Sequence, residues 1–167
     1  MLQDSSKAHT ISIYVANTPG VLTRVSQVFS RRGFNIDSLV VCPAIDGKFS
    51  RMTITAQGGQ ADLDQIIRQL NKLVDTVHCT DHTGEATVSK ELALLKVICG
   101  AEDRTQILQI VDHFACKTVD FTEKSLVIQA TGDSDKLDAM INLLHNFNIV
   151  EIVRTGKIVM TRGQEQT

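Results

Sequence analysis

The segment Asn17-Thr18-Pro19-Gly20-Val21-Leu22 separates a run with strand periodicity from a run with helix periodicity. Before it, Ile11, Ile13 and Val15 occupy alternate positions, which is typical of a half-buried strand. After it, apolar residues recur three and four positions apart, which places one apolar stripe along a helix. This stripe comprises Val21, Leu22, Val25, Val28 and Phe29. The segment is therefore predicted to be a tight turn from a strand into a helix.

The start of this predicted helix has features of an anion-binding site. Thr18 lies where an N-cap residue is expected, and Pro19 lies where the first helical residue is expected. The first amides of a helix have no intrahelical partner and carry the positive end of its dipole, so a carboxylate can dock there. Gly20 has no side chain, which would let a ligand approach the backbone closely. The alternative is a plain turn, because Pro and Gly commonly follow a strand.

A second polar segment follows the predicted helix. Arg31 and Arg32 suit the negative end of the helix dipole, and Gly33 suits a left-handed cap. The chain then enters the next strand through Asn35, whose amide can both donate and accept hydrogen bonds. We therefore expect the β-α-β unit to present two Asn side chains, a Gly and free helix amides, which together match the carboxylate and ammonium of an amino acid.

Two successive βαββαβ patterns predict the fold. Strands of the first pattern are expected over 10–15, 36–41, 50–56 and 74–79, with its second helix over 63–70. Strands of the second are expected over 92–98, 117–121, 126–130 and 149–153, with helices over 107–114 and 137–144 and a candidate extra strand over 157–161. Asp133 or Ser134 is expected to cap the last helix. The prediction is an α+β chain of two ferredoxin-like domains, with a mobile lead-in over 1–8, a first domain over 9–81, a linker over 82–90 and a second domain over 91–163.

Two features of the sequence bear on assembly and on the place of ligand binding. The strand over 36–41 has apolar residues at both parities, so we expect both of its faces to be covered. A second copy of the chain, related by C2 symmetry, is the simplest cover. In the second half, the turn Gly100-Ala101-Glu102-Asp103 carries acidic side chains that would repel a carboxylate. Ligand binding is therefore assigned to the first half only.

Composition excludes several classes of function. The chain of 167 residues has a net charge of −2 and no basic block, so we do not expect it to bind nucleic acid. No apolar run has the length of a membrane span, and the first residues do not form a signal peptide. The expected location is the cytoplasm, with no membrane partner.

Cysteines and histidines give no strong site signal. Cys42, Cys79, Cys99 and Cys116 contain no C-x-x-C pair and lie in or beside apolar runs, so buried free thiols are predicted. His78, Cys79 and His82 are close in sequence and could suggest a metal site, but three such residues at a strand end are more often incidental. No metal ligand is predicted.

The combined motifs resemble the ACT domain of the small regulatory subunit of acetolactate synthase (acetohydroxyacid synthase). The resemblance rests on Asn17-x-Pro19-Gly20-Val21-Leu22 after a strand, followed by 32–39, 50–54 and 69–74. Residues 136–139 and 151–156 are similar to the family's C-terminal half. The similarity runs from about residue 9 to residue 163, and the combined string is much more specific than an isolated Asn-x-x-Gly.

The resemblance implies a protein with no active site of its own. Such a subunit binds the catalytic large subunit, which carries thiamine diphosphate, Mg²⁺ and FAD, and raises its activity. It also confers feedback inhibition by valine, sometimes with isoleucine or leucine. Family effector sites lie between ACT domains of two protomers, so a homodimer through these domains is expected. Carried over to this sequence, the resemblance implies an effector site made of Asn17, Gly20, Val21, Leu22, Asn35 and Ile36.

Two other functions compete with this interpretation. An independent enzyme is disfavoured, because no nucleophile–base motif or Gly-rich phosphate loop occurs in a supporting context. A stand-alone tandem-ACT amino-acid sensor, regulating another enzyme or transcription, is the second alternative. The sequence leaves open which branched-chain amino acid binds and which Asn would contact the carboxylate.

Overall fold

The computed structural model describes residues 7–167, which form two βαββαβ patterns and one further short strand. The first pattern comprises β1 (Lys7–Ala16), α1 (Val21–Ser30), β2 (Ile36–Pro43), β3 (Phe49–Gly58), α2 (Gln60–Leu70) and β4 (Thr76–Asp81). The second comprises β5 (Val88–Ile98), α3 (Ala101–His113), β6 (Lys117–Phe121), β7 (Ser125–Gly132), α4 (Ser134–Leu144) and β8 (Asn148–Arg154). Strand β9 (Ile158–Met160) follows. Of the predicted lead-in, residues 1–6 lie outside the described part, and the last two belong to β1.

Both sheets have the strand order of a ferredoxin-like fold. The first sheet is antiparallel with the order β2-β3-β1-β4, and the second contains the equivalent order β6-β7-β5-β8. In each, the first and third strands of the pattern are central, as the split β-α-β arrangement requires. The predicted α+β fold of two such domains is confirmed.

One face of the first sheet and the inner faces of α1 and α2 form a single, mainly aliphatic core. The buried residues alternate along the strands and recur at helical spacing along the helices. They include Ile11, Ile13, Val15, Met52, Ile54 and Ala56 from the sheet, and Val21, Val25, Phe29, Leu63, Ile66 and Leu70 from the helices. The predicted stripe on α1 needs one correction, because Leu22 is 45% exposed and points away from this core.

The second unit has a core of the same kind, and its last helix begins as the sequence predicts. Asp133 is the N-cap residue of α4, and its side chain accepts a hydrogen bond from the Lys136 amide at 3.0 Å. Residues Ala93, Leu95, Val97, Leu126, Ile128, Leu137, Met140 and Leu144 are buried in this second core. None of the helices within residues 7–167 is long and apolar enough to span a lipid bilayer.

The contacts group the chain into two units whose boundary differs from the prediction at its C-terminal end. The described residues up to Val88 group with Lys157–Thr167, while Ser89–Gly156 form the other unit. The predicted second domain continued to residue 163, whereas the segment after Gly156 belongs to the first unit. Within that unit, Nε2 of His78 lies 3.3 Å from the carbonyl oxygen of Thr167.

Candidate functional site

The β1–α1 turn is a type II β-turn that begins the helix later than predicted. The Val21 amide donates to the Thr18 carbonyl at 3.4 Å, and α1 begins at Val21 with Gly20 as its N-cap residue. Gly20 has φ +85° and ψ −8°, the values of the third residue of a type II turn, where Gly is favoured and Pro commonly precedes it. The predictions that Thr18 caps the helix and that Pro19 is its first residue are therefore wrong, because both belong to the turn.

The delayed start still leaves free helix amides at this turn. The first α-helical bond runs from the Arg24 amide to the Gly20 carbonyl at 3.1 Å. The amides of Leu22 and Thr23 precede it, so they have no acceptor within the helix. Val21 is buried in the core, so its side chain is not available to a ligand. The side chain of Leu22 is exposed, so a ligand can contact it.

Asn17 fastens this turn to the β2–β3 loop. Its side-chain Nδ2 donates to the Gly47 carbonyl at 3.0 Å, and its backbone amide donates to the Lys48 carbonyl at 2.8 Å. One hydrogen of the Asn17 side-chain amide is thereby used within the chain. The side chain keeps a second N–H and a carbonyl oxygen with which it can contact a ligand.

Arg24 is a residue of this turn region that the sequence analysis did not select. Its Nε donates to Oδ2 of Asp75 at 2.6 Å, across 51 residues of sequence. A Cβ built on Gly20 would lie 3.0 Å from Nη1 of Arg24. The structure therefore gives two reasons why a glycine occupies position 20, the positive φ and the adjacent guanidinium. The close approach of a ligand stays a prediction.

Asn35 and Ile36 lie beyond the other end of α1. The Phe34 amide donates to the Phe29 carbonyl at 3.1 Å and the Gly33 amide to the Ser30 carbonyl at 3.0 Å, the bond pair of a Schellman motif. Gly33 has φ +70°, so the prediction of a left-handed cap is confirmed. Here the surface has an open cavity of about 460 Å³, lined by Ser26, Phe29, Ser30, Gly33, Phe34, Asn35 and Ile36.

The six predicted effector residues therefore form two separate groups within one chain. We call Asn17, Gly20, Val21 and Leu22 the N-terminal patch, and Asn35 and Ile36 the C-terminal patch. Helix α1 has ten residues and separates them by about 15 Å. The expectation that one β-α-β unit presents both Asn side chains to the same amino acid is wrong, because the helix that connects them also keeps them apart.

Ser12, His82 and Glu85 form a hydrogen-bonded line in the first unit. They have the residue types of a catalytic triad, but their position gives them a structural role. Nε2 of His82 lies 2.7 Å from Oγ of Ser12, and Nδ1 lies 2.8 Å from Oε2 of Glu85. Ser12 is only 2% exposed and lies in the middle of β1, between β3 and β4, where no substrate carbonyl can reach it. The line ties the start of the predicted linker to the sheet.

His78, Cys79 and His82, which are close in sequence, do not converge on one site. Adjacent residues of a strand point to opposite faces, so Cys79 enters the core while His78 stacks on Tyr14 with ring centroids 5.5 Å apart. Burial, assisted by the nearby Asp81 carboxylate, raises the pKa of the Cys79 thiol to about 12. Among residues 7–167, no three potential metal-binding side chains are grouped together.

The thiols differ in exposure. All four cysteines are free, and Cys79 and Cys99 are buried as predicted. Cys116 is partly buried, while Cys42 is exposed. The prediction of buried thiols is wrong for Cys42. It pairs with Arg51, next to the pair of Val41 with the core residue Met52, so its side chain lies on the sheet face away from the helices.

The equivalent turn in the second half is built differently. Glu102 and Asp103 lie in the first turn of α3, so carboxylates occupy the place of an anionic ligand. The guanidinium of Arg104 donates to the Thr122 carbonyl at 3.0 Å and lies 4.8 Å from the centroid of the Phe121 ring. This turn therefore lacks the features of the N-terminal patch.

Two family models together match most of the chain. Residues 11–78 match the model described as an AHAS small subunit-like ACT domain. Residues 90–163 match the model described as the small subunit of acetolactate synthase. The two matched regions correspond to the two βαββαβ patterns.

Whole proteins are also similar to this chain over nearly its full length. The acetolactate synthase small subunit of Mycolicibacterium smegmatis is 42% identical over 162 residues, which cover 97% of this chain and 95% of that protein. The corresponding protein of Mycobacterium bovis is 42% identical over 159 residues, covering 95% of each. The crystal structure of the small subunit from Thermotoga maritima has a TM-score of 0.84 and 37% identity, covering 95% of this chain and 99% of that one.

Proposed function

Because the chain belongs to the acetolactate synthase small-subunit family, we propose that it is the regulatory subunit of that enzyme. In this role it has no active site of its own, binds the catalytic large subunit and raises its activity. It also makes that activity sensitive to feedback inhibition by valine, within branched-chain amino acid biosynthesis. One observation carries the proposal. Both halves of the chain match the models of this family, and an acetolactate synthase small subunit matches the chain over 95% of each of the two proteins.

The cofactors belong to the catalytic partner in this proposal. Thiamine diphosphate, Mg²⁺ and FAD are expected on the large subunit, and no residue of this chain is assigned to hold them. The proposed location is the cytoplasm, where the large subunit would be its protein partner. Neither nucleic acid nor membrane is a proposed partner.

The proposed effector site lies between two protomers, and the length of α1 supports this arrangement. Valine is much shorter than the roughly 15 Å that separate the N-terminal and C-terminal patches of one chain. A two-fold axis perpendicular to α1 makes the two copies of that helix antiparallel, so each N-terminal patch faces the other protomer's C-terminal patch. A closed C2 dimer would contain two equivalent sites.

The edge of the first sheet supports a homodimer through the ACT domain. Strand β2 is an edge strand on which Val41 and Cys42 are both exposed. An edge strand presents unpaired backbone groups and is a template for pairing with another chain. Because β2 begins at Ile36, pairing two such edges would place each C-terminal patch at the interface with the other protomer.

The effector is proposed to be valine on the basis of the family and of the apolar groups near the two patches. Leu22 is exposed and Ile36 is half-buried, so both can contact a branched side chain. One methylene in such a pocket changes binding by only about 1–3 kcal/mol. Leucine and isoleucine are therefore the necessary comparisons in any titration.

Reconstitution with the large subunit of the same organism tests the proposal. We expect the purified chain to have no acetolactate synthase activity, to copurify with the large subunit, to raise its turnover and to make it inhibitable by valine. A chain that binds valine but neither captures nor activates the large subunit would instead support a stand-alone tandem-ACT sensor. A chain that forms acetolactate without the large subunit would overturn the non-catalytic role.

A further inference from the structure

A guanidinium group occupies the space beside the turn where the effector is proposed to bind. Nη1 of Arg24 lies 3.0 Å from the position that a Cβ on Gly20 would take, and its Cζ lies 3.9 Å from that position. The absence of a side chain at Gly20 is therefore what allows the Arg24 head group to lie against the turn. A ligand that approaches Gly20 from this side meets a cation before it meets the backbone.

Asp75 holds this guanidinium in place. The Arg24 Nε donates to the Asp75 Oδ2 at 2.6 Å, and the Asp75 side chain is 19% exposed while that of Arg24 is 44% exposed. The Asp75 carbonyl also accepts a hydrogen bond from the Ala16 amide at 2.8 Å, which ties this residue to the end of β1. The acid therefore comes from the α2–β4 connection, but the fold fixes it directly beside the N-terminal patch.

The remaining donors of Arg24 suit a carboxylate. A guanidinium has five N–H donors, of which Nε carries one and the two Nη groups carry four. The ion pair with Asp75 uses Nε, so the Nη groups can donate to a second anion. A planar pair of N–H donors matches the two oxygens of a carboxylate, and such bonds are among the stronger hydrogen bonds in proteins.

We infer that Arg24 recognises the carboxylate of the effector and that Asp75 is its positioning residue. This inference rests on the proposed function and gives the ligand a direction. The carboxylate lies toward the N-terminal patch of one protomer, and the ammonium lies toward the C-terminal patch of the other, where the carbonyl oxygen of the Asn35 side chain can accept from it. The two Asn residues thereby receive different roles.

The competing explanation is a surface ion pair with no part in binding. Partly exposed pairs contribute little to stability, so such a pair could be lost with a small effect on folding. Removing it would then leave the ratio of affinities for different ligands unchanged. Ligand selectivity is therefore the measurement that separates the two roles.

The test compares L-valine with L-valinamide, in which a neutral amide replaces the carboxylate. Affinities of the full chain for both are measured by calorimetry and by the rise in Tm. We expect the unsubstituted chain to prefer valine. Arg24→Gln is expected to weaken valine binding by about tenfold or more, the loss of one charge-assisted contact, while binding of valinamide stays the same. Asp75→Asn should reduce the preference less, because Arg24 keeps its charge but loses its anchor.

Two further variants control for folding. Lys96→Gln breaks the exposed ion pair between Lys96 and Glu151, 3.1 Å long, in the second unit, and should leave both affinities unchanged. Arg24→Lys retains the charge without the planar fork and should retain part of the preference for valine, even if Arg24→Gln folds poorly. A wild-type chain that does not bind valine would refute the proposed effector. If Arg24→Gln, or Arg24→Lys where Arg24→Gln does not fold, preferred valine over valinamide as strongly as the wild type does, only the role of Arg24 would be overturned.

Discussion

Nδ2 of Asn17 lies 3.0 Å from the carbonyl oxygen of Gly47, and this hydrogen bond holds the β1–α1 turn against the β2–β3 loop. The residue that the sequence suggests as a ligand contact therefore also connects two loops. A substitution at Asn17 would change the turn and the ligand contact together. Better tests of the proposed site use residues that project from the turn and support little else.

Leu22→Asp tests the N-terminal patch with little cost to folding. Leu22 is 45% exposed and is the second residue of α1, where an acidic side chain favours the helix. The new carboxylate would repel that of valine, so we expect the valine-dependent rise in Tm to disappear. At a hundredfold excess over Kd, that stabilisation is about 2.7 kcal/mol in the wild type.

Ala61→Asp is the matched control for Leu22→Asp. Ala61 is exposed and is the second residue of α2, so the same charge is added at the same helix position of the same unit. This variant should keep the full response to valine. Equal responses in Leu22→Asp and Ala61→Asp would refute a ligand site at the β1–α1 turn.

Gly20→Ala should destabilise the first unit even without a ligand. The residue has φ +85°, and a left-handed backbone costs a residue with a Cβ about 1–2 kcal/mol. The added Cβ would also push against Arg24 Nη1. Urea unfolding of Gly20→Ala should show a lower midpoint than that of the wild type. Gly84→Ala is the control, because Gly84 has φ +81° but no atom lies near the added Cβ. This variant should lose only the free energy that the left-handed backbone costs a residue with a Cβ. A Gly20→Ala midpoint equal to that of the wild type would contradict the observed turn geometry.

Val41→Lys should weaken the proposed homodimer. Val41 lies on the edge strand β2 and is 43% exposed, and a charge on an edge strand opposes pairing with another chain. Sedimentation at micromolar concentration should give a dimer for the wild type and a monomer for the variant. Val77→Lys places the same charge on the other edge strand, β4, where Val77 is 56% exposed, and should remain dimeric. Dissociation by Val77→Lys alone would move the interface to β4.

His82→Ala should lower the free energy of unfolding by about 1–3 kcal/mol, the cost of leaving a buried polar group without its partner. The substitution removes the hydrogen-bond partner of the buried Ser12 hydroxyl and of the Glu85 carboxylate. Chemical denaturation measures this difference. His145→Ala, at an exposed position, should change the value by less than about 0.5 kcal/mol. Similar values for the two variants would mean that the Ser12–His82–Glu85 line does not stabilise the fold.

Stability at high pH should reflect the buried thiol of Cys79. Its pKa is raised from 9.0 to about 12 in the folded chain, chiefly by burial. As pH rises between these values, the unfolded state loses the proton first, so the free energy of unfolding falls by up to about 1.4 kcal/mol per pH unit from this group. The stability of Cys79→Ala should fall less steeply over that range than the stability of the wild type. Parallel curves would show that the Cys79 thiol ionises equally in both states.

Much of the fold could be predicted from local patterns. Alternation at Ile11, Ile13 and Val15 and helical spacing at Val25 and Phe29 correctly indicate their elements, because burial on one face imposes a period that neighbouring residues carry themselves. Asp133 is one of the two cap candidates that the sequence indicates, because a cap contacts an amide only three residues away. The order of such elements, repeated twice, was enough to predict two ferredoxin-like domains.

Local patterns failed where the outcome depended on contacts distant in sequence. The ion pair of Arg24 with Asp75 joins residues 51 positions apart, and the hydrogen bond of Ser12 with His82 joins residues 70 apart. No periodicity links such residues, so their partners became known only when the sheet and helices were packed together. The sequence by itself determined which side chains border the turn before α1 and the turn after it. Only the tertiary structure decided that the Asp75 carboxylate lies beside the first of these turns and pairs with Arg24, because the packing of the helices against the sheet sets the distance between segments that are far apart in sequence.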